Sequence, residues 1–420
     1  MSAPTPGGWP PHGPGPQFHP PATQWPQPRP EPLPVVPVPP QPQFGPPKRP
    51  GGSPLKTLGW LGIWIFFAVC GLLTILAIAL ETGVAGLVIG LVLATLPVAV
   101  VVSVFLWLDR HEREPWSLLL FAFGWGASVA TLVSLILNTA STAVLQQSGG
   151  DPNIAMFTIA PIVEESTKGL AVLGVLLLRR REFDGVVDGI VYAGMAGVGF
   201  AFVENILYFG RTFVEAGGGG VAAVFVMRGV FSPFAHPLFT MAIGVGIGLA
   251  VTRRSTATKM LAPVAGWVVA VALHAAWNGA TLLGIQGFFG GYVFLQVPIF
   301  IAAVVIALLA RRREARLISR HLHVYASSGW LTQGEAAMLS SLSARRQARD
   351  WAGRTFGPLA RNAMRDFQEL GSEVAFLRER MVHGTAPADA RQTERQMLEG
   401  MWRLRQAFTP QTGYGVTAIR

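Results

Sequence analysis

The feature that most constrains this chain is a series of apolar runs, each long enough to cross a bilayer. Spanning about 30 Å of hydrocarbon takes roughly 20 apolar residues in a helix. Eight segments meet that need: 57–80, 84–108, 117–145, 154–178, 186–209, 222–252, 261–284 and 290–310. In hydrocarbon every backbone polar group must be satisfied within the protein, so these runs can only be helices. The sequence therefore predicts an all-α fold, a polytopic transmembrane helical bundle of about eight spans. The third and sixth segments exceed the minimum, and tilt or turns outside the membrane absorb the excess. Composition agrees, with 51% hydrophobic and only 13% charged residues, a departure from soluble averages in the direction of a membrane protein.

Charge sorts the loops into two sets. Lys48, Arg49 and Lys56 precede the first segment; Arg110 and Arg113 follow the second, Arg179 to Arg181 the fourth, Arg253, Arg254 and Lys259 the sixth, and Arg311 to Arg313 the eighth. With an even number of spans, all of these clusters fall on one face. The opposite face receives ETG, QQSGGDPN, RTFVEAGGGG and GIQGFFGGY, where Arg211 is the only loop cation. The positive-inside rule then predicts a multi-pass protein of the cell membrane with both termini cytoplasmic. The net charge of +10 is accounted for by this topology signal and by the C-terminal hundred residues, so nucleic acid is not expected as a partner; the lipid bilayer is.

Three regions are expected. Residues 1–54, rich in Pro, Gly and Gln, cannot bury a core and read as a disordered cytoplasmic tail. No basic n-region with a short apolar stretch opens the chain, so the first apolar segment is expected to serve as an uncleaved anchor. Residues 55–312 form the transmembrane domain. Residues 313–420 are rich in arginine with apolar positions at helical spacing, which predicts a basic cytoplasmic helical tail that packs on itself or on the anionic membrane face. Within it, Thr332 and Glu335 match a capping box and predict a helix start. The single cysteine, Cys70, lies in an apolar run and excludes both an internal disulfide and a cysteine metal site.

Polar residues inside the spans are expensive and therefore informative. The fourth span holds Glu164 and Glu165, the fifth Glu204 and Asn205, the sixth His236, and the seventh His274 and Asn278. Because successive spans run in opposite directions, all of these lie in the middle to outer half of the bilayer. His274 and Asn278, four apart, share a helix face. Imidazole nitrogens with carboxylate and amide oxygens at one depth suit a divalent metal of the zinc kind. A carboxylate beside such an ion could take a proton from water for amide hydrolysis. Bland roles exist beside these. Lys168 stands three and four residues beyond the glutamates, where an intrahelical ion pair is expected. Arg228 is expected to snorkel, and the small residues of GIVYAGMAGVG and GVGIGLA to permit close helix packing. HEREP at 111–115 puts Pro where a zincin motif needs its second histidine, and neither a P-loop nor G-x-S-x-G is present.

Taken in order, EESTK, FAFVEN, HPLFT and HAAWN on four successive spans, with LDRHEREP before the third, resemble the PrsW family of intramembrane metalloproteases, more distantly similar to the CAAX prenyl endopeptidase and bacteriocin-processing superfamily. The resemblance covers about residues 57–310. It implies a metal-dependent endopeptidase with Glu164 and Glu165 as catalytic carboxylates. Glu204, His236, His274 and Asn278 would form or support the metal site. It also implies membrane-protein substrates, anti-sigma factors being one class. In the wider superfamily the second motif usually ends in His, where this chain has Glu204. The competing expectation is a secondary transporter using the same Glu and His side chains as an ion or proton relay.

Overall fold

A computed structural model describes residues 54–180 and 183–409. The proline-rich region expected over 1–54 lies outside the described residues except for Pro54, as do Lys48, Arg49 and Arg181. The described residues from Thr57 onwards form one unit. Every segment expected to span the membrane is helical, the sixth with a short break at 232–234. Five described helical stretches are long and apolar enough to cross a membrane. Two of them each hold two of the segments read from sequence. Helix α1, Pro54–Leu108, breaks at Gly83, whose φ of 68° suits glycine. Helix α5, Val186–Phe225, breaks at Gly217 with φ 64°. It continues through a π-helical turn at Val226–Phe231 towards α6, Ala235–Thr252. The fourth segment, α4 over Ala160–Leu178, carries Glu164, Glu165 and Lys168 and so falls outside a purely apolar criterion.

Large apolar side chains cover the outside of this bundle. Leu72, Leu80, Leu177 and Phe294 are each more than two-thirds exposed, which is stable only where lipid replaces water. In its interior, α5 and α6 are backed by α2 (Trp116–Trp125), α4 and α7 (Thr256–Leu282). The small residues act as expected. A Cβ added at Gly189 would lie 2.0 Å from the Gly244 carbonyl oxygen, and one at Gly244 would lie 2.1 Å from that of Gly189. These helices therefore meet backbone to backbone. Gly197 does the same one level further along, where a Cβ would stand 2.8 Å from Pro237 Cα. That contact fixes how far His236, the residue before Pro237, can stand from α5.

Helix α9, Val297–Ser327, runs without a break from the eighth segment into the C-terminal region. There α10 (Gln333–Leu339), α11 (Leu342–Phe356), α12 (Pro358–His383) and α13 (Ala390–Arg405) gather a second core around Leu322, Leu339, Phe367 and Val374. The capping box is formed: Glu335 N donates to Thr332 Oγ1 at 3.1 Å, and Thr332 N to Glu335 Oε2 at 2.8 Å. This region grips the loop between α1 and α2. Buried Arg345 donates to the carbonyls of Leu339 and His111 and to Ser372 Oγ, at 2.6, 3.2 and 2.9 Å. Within that loop Glu114 accepts a hydrogen bond from Tyr192 of α5.

Candidate active site

Four helices bring the intramembrane polar residues together. On α4, Glu164 and Glu165 are adjacent and therefore point about 100° apart, which gives them different neighbours. Glu165 is fully buried. It accepts from Lys168 Nζ at 2.6 Å, from His274 Nδ1 at 2.9 Å and from Thr240 Oγ1 at 2.8 Å. Thr240 belongs to the HPLFT motif, four residues after His236, so one turn of α6 contributes both. Glu164 is anchored on one side only: Asn138 Nδ2 of α3 (Thr131–Gln147) donates to its Oε1 at 3.2 Å. Its Oε2 is buried and has no hydrogen-bond partner among the described residues. Lys168 Nζ and His274 Nε2 each stand 3.8 Å from that oxygen.

The two imidazoles are held in matching ways. A carboxylate accepts only, so His274 Nδ1 is the donor towards Glu165, and Nε2 keeps a lone pair facing Glu164. Lys168 donates to His236 Nδ1 at 3.2 Å, so the proton of His236 sits on Nε2 and is given to Glu204 Oε2 at 2.7 Å. Each histidine thus has a carboxylate behind one nitrogen and its lone pair on the other. Metal-ligating histidines are oriented by the same kind of carboxylate backing. The rings lie edge to face with centroids 5.1 Å apart, and Phe239 stacks on His274. Ligand atoms of Glu164, His236 and His274 all fall within 4.8 Å of one another, and all three residues are buried.

Glu204 does more than back His236. Arg228 of the π-helical turn pairs with its carboxylate, donates to Asn205 Oδ1 at 2.7 Å and covers the Tyr208 ring at 4.0 Å. Arg228 was expected to snorkel outwards; it turns inwards instead, because a half-buried carboxylate beside a histidine is costly without a positive partner. Asn278 lies one turn beyond His274 on α7, half-buried, and its amide donates to the Met156 carbonyl at 2.9 Å. The fold therefore gathers Glu164, Glu165, Glu204, His236 and His274, with Asn278 at the margin.

Sequence reasoning passed over Asn138 and Thr240, and it treated Lys168 only as an ion-pair partner of the glutamates. Lys168 does pair with them, but its ammonium also bonds His236 and lies 4.4 Å over the Phe200 ring. Its place four residues beyond Glu164, on the same face, was the available signal.

The chain matches the family model described as PrsW family intramembrane metalloprotease over residues 114–306. Protease PrsW of Oceanobacillus iheyensis is 30% identical over 167 residues, which cover 39% of this chain and 70% of that protein. The chain belongs to the PrsW family. Protease PrsW of Clostridioides difficile is 29% identical over 136 residues, 32% of this chain, which spans only 55% of that relative's length. For Protease PrsW of Bacillus subtilis the figures are 30% over 154 residues, 37% of this chain and 65% of the relative. No solved structure matches the chain. The PrsW match runs from Glu114 through all four motifs and ends inside α9, so the C-terminal helices lie beyond it.

Proposed function

We propose that this multi-pass protein is an intramembrane metal-dependent endopeptidase that cuts a membrane-inserted polypeptide, with both its termini on the cytoplasmic side. The observation that carries the chemistry is the buried group of Glu164, His236 and His274, with Glu164 Oε2 left without a hydrogen bond. A carboxylate oxygen with no donor in an apolar interior is costly, and a cation resolves that cost. The donor types fit a divalent ion of the zinc kind: one carboxylate, the free lone pair of His274 Nε2, and the lone pair of His236 Nδ1, which an ion would have to take over from the Lys168 ammonium. His236 and His274 would hold it, with Glu164 closing the same face. When bound there, such an ion supplies Lewis acidity and lowers the pKa of water towards neutrality.

The chain's own residues divide the remaining work. We assign proton acceptance from the attacking water to Glu164, whose Oε2 stands 3.8 Å from His274 Nε2. Glu165 fixes His274, and Glu204 fixes His236, by taking the proton on each ring's remote nitrogen. Lys168 holds Glu165 and His236 in register and keeps the excess negative charge of three glutamates in check. Asn278, one turn beyond His274 on α7, is assigned to the margin of the site, where it ties α7 to the π-helical turn before α4 through Met156. Membership of a protease family disfavours the transporter reading.

The deciding experiment combines metal analysis of purified protein with cleavage of a membrane-protein substrate. His236→Ala and His274→Ala should each lose both bound metal and cleavage. Glu164→Gln should keep most of the metal while turnover falls by roughly 10² or more. Near wild-type cleavage by all three variants would overturn the assignment.

A further inference from the structure

Where the eighth segment leaves its apolar stretch, a cleft of about 270 Å³ lies between the bundle and α12. Its inner wall is apolar, formed by Val186 and Val187 at the start of α5, Val251 at the end of α6, and Leu309 and Ala310 on α9. Leu309 is 54% exposed, so this wall continues onto the lipid-facing surface of α9. The rim is basic. Arg313 follows the apolar run, and Arg380 and His383 come from the last turn of α12. The Arg254 guanidinium lies where a Cβ at Gly384 would stand, 1.4 Å from that position.

Three carboxylates also line the cleft, and two of them have partners that keep the cations in place. Asp184 Oδ2 lies 3.7 Å from Arg380 Nη1, while Glu379 bonds His321 at 2.6 Å and lies 3.5 Å from His383 Nδ1. The third, Glu314, is buried. An apolar wall open to hydrocarbon below guanidinium groups matches an amphiphile with a phosphate at its polar end. Basic pockets between spans on the cytoplasmic side bind anionic headgroups for this reason. The volume lies at the small end of ligand pockets and leaves a whole lipid mostly outside.

We propose that this cleft binds an anionic phospholipid, its phosphate met by Arg313 and Arg380 and its acyl chains lying along Val251 and Leu309. A lipid held there touches α5, α6, α9 and α12 together. It would tie the C-terminal helices to the spans that carry Glu204 and His236. The proposal rests on the membrane-spanning reading, not on the protease reading, since no cleft residue touches Glu164, His236 or His274.

The test is native mass spectrometry of the full chain released from neutral detergent. Phosphatidylglycerol, phosphatidylethanolamine and phosphatidylcholine with identical acyl chains are added in separate arms, and glycerol phosphate in a fourth. Phosphatidylglycerol should be retained in preference to the other three. Arg313→Gln should weaken that retention about fivefold, the factor that corresponds to one interfacial arginine. Ala310→Trp, which fills the cleft without changing charge, should abolish it while the thermal transition stays. Arg316→Gln, an exposed arginine outside the cleft, should have little effect. Equal retention of the zwitterionic lipids would overturn the proposal. So would glycerol phosphate binding as tightly as the lipid, unchanged retention in Arg313→Gln and Ala310→Trp, or an equal loss in Arg316→Gln. Failure of the protease reading would show in metal content and cleavage, with lipid retention intact.

Discussion

Two buried polar networks hold this protein together, and they are finished to different degrees. At the junction with the C-terminal helices, each of the three guanidinium nitrogens of Arg345 donates to an acceptor. Ser372 reinforces the same His111 carbonyl at 3.1 Å, and Gln368 returns a bond to the Arg345 carbonyl at 3.0 Å. Within the spans, Glu165 is equally complete, but Glu164 keeps a buried oxygen without a hydrogen bond, 3.8 Å from His274 Nε2. Around Arg345 the network is satisfied, as a structural clamp requires, although Glu112 Oε2 on the same loop has no hydrogen bond among the described residues. An open oxygen near a lone-pair nitrogen costs stability and makes sense as a place for chemistry.

The sharpest way to break this comparison is to remove the charge that balances the spans. Lys168→Met keeps length and leaves Glu165 buried without its ammonium, a change that costs about 3–5 kcal/mol when one partner of a buried pair is lost. Thermal unfolding in detergent should show that loss, while hydrogen exchange in α11 to α13 stays near wild type. A destabilisation below about 1 kcal/mol would show that Lys168 is not what compensates the glutamates.

Arg345→Ala addresses the other network. It removes the Arg345 bond to the Leu339 carbonyl and leaves the His111 carbonyl with Ser372 alone, and should cost about 1–3 kcal/mol, read as faster hydrogen exchange in α10 to α12. Metal content at the intramembrane site should remain at the wild-type level. If metal is lost as well, the two networks are one cooperative unit and the contrast between them disappears.

The smallest effect is a pH dependence confined to the junction. Burial pushes the Asp109 carboxyl up to about 8, and burial with Arg311 and Arg345 nearby pulls the His111 imidazole down to about 4. Burial also raises the carboxyls of Glu112 and Glu114, on the same loop. A carboxyl raised above its unfolded value binds its proton more tightly when folded, so its contribution is lost as pH climbs towards 8. His111 acts oppositely: stability rises as pH climbs from about 4 to 6.5, after which both states are neutral. The two trends oppose each other at acidic pH, and above 6.5 only the carboxyl trend remains. Exchange in the 109–115 loop should therefore quicken between pH 6.5 and 8, and Asp109→Asn should flatten that slope. A flat wild-type profile over this window would remove the pH sensitivity assigned to the junction.

The sequence by itself determined the helical membrane character, the positions of the spans, the capping box at Thr332 and the residues that meet in the bilayer. Each of these depends on a local quantity: run length against hydrocarbon thickness, the spacing of a cap, or the cost of an ionisable group in lipid. The alternating direction of the spans was enough to set Glu164, Glu165, Glu204, His236 and His274 at one level. Only the tertiary structure decided which partner each of them takes. Glu165 and Glu164 are neighbours in the chain, yet one is locked to Lys168, His274 and Thr240 while the other keeps an open oxygen. Arg228 faces inwards, and HEREP is clamped beneath α12 rather than left as a solvated loop. These outcomes depend on how closely two helices approach, and that is set by contacts such as Gly189 on Gly244 and Gly197 on Pro237. Periodicity reveals the face a side chain occupies, but only packing across helices fixes what stands within 3 Å of it.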